Sequence, residues 1–258
     1  MRRGAGALGV LMAAVTVSLA SAAVVQEGNL RITVHSQVKP FRLPRTGTAP
    51  IAVFVSGHIG TKDGTVPPQL QRLTIDVNRH GLLDATGLPT CGLRRIKTAS
   101  TQRALGQCAD ALVGSGRFWA SVVFPAQRPY PTRGRLLVFN GTSHGRPALF
   151  AHIFTTAPIA TSFVIVFGIE QVDKGPFGTE LSASLPQTLG SWGFVDRIKL
   201  TLRRRFDHRG RQRSFFNAGC PALPGADFAA YPLARASFYF ANSRPVDLTV
   251  TKSCRVAE

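Results

Sequence analysis

Acidic residues are scarce in this chain of 258 residues: 13 Asp and Glu stand against 31 Lys and Arg, a formal net charge of +18. So few carboxylates leave little material for glycoside hydrolysis, which needs two of them flanking one bond. Glu170 and Glu180 are the candidate pair, set across an expected hairpin at Asp173 to Gly178, and a solvated pair near a turn is the plainer reading. Cysteine is sparse too. None of the four cysteines has the C-x-x-C spacing of a redox pair or zinc knuckle. No two of the six histidines form H-E-x-x-H, which excludes the zincin arrangement. His152 falls between apolar neighbours in an expected strand and reads as structural. No Gly-rich loop opens a helix after a strand to cradle phosphate. Neither a cofactor nor a metal is expected, and no catalytic residue is assigned.

Long apolar runs are also missing. Beyond the N-terminus no stretch reaches 18 uninterrupted apolar residues, and a membrane span needs ~20. The N-terminus itself has the parts of a signal peptide: basic Arg2 and Arg3, apolar Ala7 to Leu19, then small Ala20-Ser21-Ala22. Residues 1–23 are therefore expected to be removed on export. The product is secreted or extracellular, free or held at the cell surface. Loss of Arg2 and Arg3 lowers the charge from +18 to +16. Such a balance attracts anionic partners, although Arg-rich, GC-biased coding also produces it.

In an exported chain four cysteines read as two staples. Three pairings are possible, and Cys91–Cys108 with Cys220–Cys254 are favoured because each pair brackets one compact stretch. Loop entropy assigns about 3 kcal/mol to the first and about 3.5–4 kcal/mol to the second.

What remains is mostly strand. Leu30, Ile32 and Val34 alternate with Arg31, Thr33 and His35, the period of a half-buried strand. Comparable segments follow at Ile51 to His58, Gln71 to Asn78, Phe118 to Phe124, Arg135 to Asn140, Ala148 to Thr155 and Ser162 to Gln171. Thr179 to Leu185, Val195 to Phe206, Gln212 to Ala218, Ala234 to Ala241 and Val246 to Thr251 complete the set. Within Leu73 to Gly116 lies one short helix, capped by Ser100 or Thr101. Its expected stripe is Leu105, Cys108, Ala109 and Leu112, and Gly114 is its expected stop. No internal repeat occurs. Pro125 to Gly134 is the candidate hinge, and its short length favours one sandwich over two domains. The expectation is an all-β fold: one β-sandwich over 24–258, of about ten to twelve antiparallel strands with one disulfide-pinned helix.

Leu88-Pro-x-Cys91, Ala104-Leu105, Cys108, Ala111-Leu-Val-Gly-x-Gly116, Leu136-Leu-x-Phe-Asn140, Pro176-Phe-Gly-Thr179, Arg213-Ser-Phe215 and Ser253-Cys254 together resemble an uncharacterised family of exported proteins from high-GC Gram-positive bacteria. The resemblance spans most of the mature chain. It implies a compartment and brings no activity.

The positive signal is a basic hairpin. Arg197, Lys199, Arg203, Arg204, Arg205, Arg209, Arg211 and Arg213 crowd into 17 residues, against Asp196 and Asp207. On an alternating strand Arg197, Lys199, Arg203 and Arg205 would share one exposed face, with Arg211 on the return strand. Such a stripe binds phosphates or carboxylates. Nucleic-acid readers built on sheets interleave exposed aromatics, and these outward positions lack them, so nucleic acid is disfavoured. The reading is an exported non-catalytic protein that binds an anionic cell-envelope component, a glycopolymer or lipid headgroup, through Arg197, Lys199, Arg203, Arg205 and Arg211. Two alternatives accompany it. In one, Phe118, Trp119, Phe150, Phe154, Phe163, Phe167, Phe238 and Phe240 line a site for an apolar ligand between sheets. In the other, Glu170 and Glu180 act on a glycan.

Overall fold

The computed structural model describes residues 22–122, 128–185, 193–241 and 243–257. Of the expected signal segment 1–23, residues 1–21 lie outside them, as do 123–124 of the expected strand Phe118 to Phe124 and 125–127 of the expected hinge; Tyr130 to Gly134 of that hinge are instead the start of a strand.

The chain is all-β. Its first half forms strands β1 (Ala22–Glu27), β2 (Leu30–Lys39), β3 (Arg42–Leu43), β4 (Ala49–Pro50), β5 (Ala52–Thr61), β6 (Leu70–Asn78) and β7 (Gly81–Leu83). Two short helices follow, α1 (Leu93–Ile96) and α2 (Thr101–Cys108), and then β8 (Leu112–Val122). The second half supplies β9 (Tyr130–Ser143), β10 (Arg146–Thr155), β11 (Thr161–Lys174), β12 (Phe177–Ser184) and β13 (Gly193–Leu202). Next come β14 (Arg205–His208), β15 (Arg211–Ser214), β16 (Phe216–Ala218), β17 (Phe228–Phe240) and β18 (Val246–Val256).

Thirteen strands make one sheet in the order β1-β2-β5-β13-β8-β9-β10-β11-β12-β6-β17-β18-β3. Strands from both halves interleave, since β13 sits between β5 and β8, and β6 between β12 and β17. The sheet curls until its two ends pack together. Leu30, Ile32 and Ile59 of β2 and β5 form one buried cluster with Phe238, Val246, Leu248 and Val250 of β17 and β18. The two packed layers of the expected sandwich are thus arms of a single sheet.

Alternation gives each strand an inner and an outer face. On β9 and β10 the inner residues Leu136, Val138, Leu149, Ala151 and Ile153 meet the interior, while Leu137, Phe139, Ala148 and Phe150 meet the helices. One end of the interior is filled by the small sheet β4-β16-β7 and the hairpin β14–β15. Phe206, Phe215 and Phe216 carry that packing against Val138 and Leu149. Burying each such ring contributes about 1.5–3 kcal/mol.

Both expected disulfides form. Cys91–Cys108, with Cα atoms 5.4 Å apart, pins α2 onto the outer face of β9 and β10, and Cys220–Cys254, at 5.8 Å, ties the segment after β16 to β18. Ser100 caps α2, its Oγ accepting from the Arg103 N–H at 3.3 Å. The stripe differs from expectation. Ala104 and Cys108 are buried, Ala109 is exposed, and Leu112 already belongs to β8. Nor does Gly114 stop the helix, which ends at Cys108; a 3-10 turn, Ala109–Ala111, leads straight into β8. Gly114 and Gly116 lie inside that strand because the neighbouring backbone comes too close for a side chain. A Cβ on Gly116 would stand 2.0 Å from the Lys199 carbonyl oxygen.

His152 is fully buried under the helices. Its Nε2 lies 2.9 Å from the Ala99 carbonyl oxygen, to which it donates, and 3.2 Å from Ser162 Oγ. Nδ1 is buried without a partner. Burial lowers the imidazole pKa below its ordinary value, as suits a neutral ring that ties the sheet to the turn before α2.

Candidate polyanion-binding face

The expected basic stripe is divided in the structure. Arg197 and Lys199 lie on the outer face of β13, but the large sheet loses this chain after Leu202. The Arg203 N–H donates to the Val113 carbonyl oxygen at 3.0 Å, and the backbone then turns into the separate hairpin β14–β15. Arg203, Arg205 and Arg211 are exposed at that end. Arg213 is bound there, donating from Nη2 to Asp84 at 2.7 Å. The reason is local. Arg204 has the inward parity of Ile198, Leu200 and Leu202, where the curled sheet needs an apolar side chain. The chain leaves the sheet, and Arg204 donates from Nη2 to the Asp110 carbonyl oxygen at 3.0 Å.

Arg197 and Lys199 acquire other neighbours instead, through the register of the large sheet. Lys199 stands directly opposite Arg117 of β8, and Arg117 opposite Arg135 of β9. On the other side Lys199 faces Ser56 of β5, which faces His35 of β2. The next row, two residues along, runs Arg133, Trp119, Arg197, His58 and Thr33. Strands about 4.8 Å apart and about 6.8 Å between rows define a lattice of cations. Arg117, Arg133, Arg135, Arg197 and Lys199 are all exposed. Among the described residues none of the five has an ion pair.

Like charges directly opposite on adjacent strands are destabilising. The carboxylate beside them, Asp196, sits in the β-bulge between Val195 and Arg197 and is turned to Ser121, whose Oγ donates to it at 2.8 Å. Burial pushes the Asp196 carboxyl up, with the Ser121 hydrogen bond opposing. The Asp196 carbonyl oxygen accepts from His58 Nδ1 at 2.8 Å, which orients that imidazole on the outer face. Arg31, His35, Ser56, His58, Arg197 and Lys199 border a shallow groove of about 500 Å³. Of these residues only Arg197 and Lys199 belong to the expected basic stripe; Arg31, Arg117, Arg133 and Arg135 are not expected at the site, and Trp119 is expected at an apolar one. Their outward parity was legible at Arg117-x-Trp119 and Arg133-x-Arg135; the side-by-side order of β9, β8 and β13 was not.

A second outer row is acidic. Glu170 faces Glu180, Glu180 faces Asp76, and Asp76 faces Arg235. Every charge in it is matched. Arg235 donates twice to Asp76 Oδ2, at 3.0 and 2.7 Å, and Lys174 bridges Asp76 and Glu180. Arg146 reaches Glu170 at 3.2 Å. Glu170 and Glu180 are neighbours as expected, engaged in a structural network. Gly141-Thr-Ser-His-Gly145 has the G-x-S-x-G spacing, but it forms the tight β9–β10 turn, with His144 and Gly145 at φ 50 and 76. A strand follows it, whereas a nucleophile elbow leads into a helix. No group of three or more His, Cys, Asp or Glu residues among the described residues is placed to hold a metal.

The aromatics proposed for an apolar site separate. Phe118, Phe150, Phe238 and Phe240 are buried in three different core clusters, and Trp119 faces outward among the cations. A further groove, of about 700 Å³, lies near Arg72, Tyr239 and Arg244, with the Arg72 guanidinium stacked 3.8 Å from the Tyr239 ring centroid.

Compared with protein-family models, curated protein sequences and solved structures, the chain matches none.

Proposed function

We propose that this is an exported, non-catalytic binding protein that holds an anionic cell-envelope component on the outer face of β9, β8, β13, β5 and β2. The observation that carries the reading is the direct opposition of Arg135, Arg117 and Lys199 on three adjacent strands without an acid among them. Such a row costs stability in the free protein and is relieved by a polyanion, whose charges form charge-assisted hydrogen bonds to the guanidinium forks. The N-terminal segment and the resemblance to exported proteins support the envelope as the place of action. Arg203, Arg205 and Arg211 form a second basic region on the hairpin and add long-range attraction.

Retention of the mature protein on purified envelope fractions, measured across a salt series, tests the reading. Binding at low salt that falls steeply with ionic strength is expected, because exposed charges are screened within about 10 Å at 0.1 M salt. No binding at low salt would reduce the charge to composition. Binding indifferent to salt would remove the electrostatic mechanism.

A further inference from the structure

Trp119 is out of place on a face that otherwise serves charge. It stands in register between Arg133 and Arg197, with Arg117 two residues before it on β8. A guanidinium over the ring of a tryptophan so placed would be favourable. The cation–ring pairs among the described residues are Lys39–Phe54, Arg72–Tyr239 and Arg235–Phe177, and neither flanking arginine covers Trp119. The indole is half-buried, outside the core clusters, with cations on both sides.

We propose, resting on the polyanion reading above, that the ligand is an acidic polysaccharide lying across the strands, with one sugar ring stacked on Trp119. The positively polarised C–H bonds on one face of a pyranose meet the negative face of the indole quadrupole. Acidic substituents on that ring or its neighbours then reach Arg133, Arg197 and Arg117. The adjoining groove of about 500 Å³ falls within the roughly 300–1,000 Å³ common for small-ligand sites and receives the next unit. Its polar lining suits sugar hydroxyls: Thr33 and Ser56 offer hydroxyls, and His58 offers the ring nitrogen left free by its bond to the Asp196 carbonyl oxygen. A single aromatic fits this ligand better than nucleic acid, whose sheet readers stack successive bases on several rings.

The test uses the mature protein in titration calorimetry with three probes: polygalacturonate, which has rings and charge; inorganic polyphosphate, which has charge without rings; and oligothymidylate, which has charge and bases. Trp119→Ala is expected to weaken polygalacturonate about tenfold, the loss of one stacked ring at 1.4 kcal/mol, and to leave polyphosphate within about twofold. Retained polyphosphate binding also shows that the variant is folded, and Trp119→Phe should recover most of the loss. Arg117→Glu with Lys199→Glu should weaken all three probes. Equal losses, or none, for polygalacturonate and polyphosphate in Trp119→Ala would overturn the sugar platform and leave the polyanion face standing. Unchanged binding in the double reversal would overturn both readings. Oligothymidylate binding tighter than polygalacturonate, with the Trp119 dependence, would make nucleic acid the ligand and overturn the glycan.

Discussion

Two rows of charge cross the outer face of the same curled sheet, and they are built in opposite ways. In the row Glu170–Glu180–Asp76–Arg235 each carboxylate meets a cation, and Asp76 is 3 % exposed. In the row Arg135–Arg117–Lys199 each cation meets another, and all three are exposed. The helices pinned by Cys91–Cys108 cover β9, β10 and β11 between them. Buried charges must be neutralised where they stand, since water no longer screens them. Exposed cations can be left unpaired at small cost, and what remains is available to a partner. The matched row ties four strands, β11, β12, β6 and β17, together; the unmatched row makes no ion pair among the described residues. Among the described residues, that contrast separates charge with a structural use from charge free for binding.

The largest effect should come from breaking the matched row. Asp76→Ala leaves Arg235 and Lys174 without their shared carboxylate and empties a buried site. A loss of about 2–3 kcal/mol is expected in urea unfolding, below the 3–5 kcal/mol of a fully buried pair because both cations are part-exposed. A loss under a few tenths would mean that the row is ornamental.

Next in size is the binding effect of charge reversal. Arg117→Glu with Lys199→Glu should reduce retention on envelope fractions at least tenfold at low salt, about 1.4 kcal/mol. Reversal of Arg203 and Arg205 on the hairpin should reduce it less. The opposite ranking would move the site back to the hairpin.

Smaller still is the alkaline response of the matched row. The Glu180 hydrogen bond, and then Asp76, hold the Lys174 ammonium above its ordinary 10.5. A cation whose folded value is raised contributes stability that is complete below the unfolded value and lost as pH rises through the folded one. Wild type should therefore lose more stability than Lys174→Gln above pH 10.5, in unfolding curves taken on either side of that pH. Parallel curves would show that Lys174 contributes nothing to the network.

Smallest is the relief of repulsion. Arg117→Thr puts a good strand former between Arg135 and Lys199 and should raise stability by about 0.5 kcal/mol, while weakening polyanion binding. A thermal melt and a retention assay on the same variant read both. Lower stability would mean that Arg117 has a structural partner after all.

How far this was legible from the residues varies with the kind of feature. Period-2 alternation placed nearly every long strand, because a side chain's face is fixed by parity within its own segment. A cap at Ser100 or Thr101 and both disulfides were also readable, being set by short-range chemistry and compact loops. Gly114 does not stop the helix, and in sequence a glycine that admits a neighbouring backbone looks like one that ends a helix. The stripe expected from Arg197 to Arg205 breaks after Leu202. Arg204 at an inward position marks the break, and it stands out only once the inner face is known to be apolar throughout.

The sequence by itself determined the all-β class, the staples, the excess of cations and the alternation that sets the side of each charge within an unbroken strand. Only the tertiary structure decided which strands lie side by side. That order places β13 against β8, β8 against β9, and β6 against β12. It made a cation lattice around Trp119 from residues spread between Arg31 and Lys199, and it made a neutral network of Glu170, Glu180 and Asp76 with Arg146, Lys174 and Arg235. The physical reason is that parity is a property of one chain segment, while charge pairing across a sheet depends on which segment lies about 4.8 Å away.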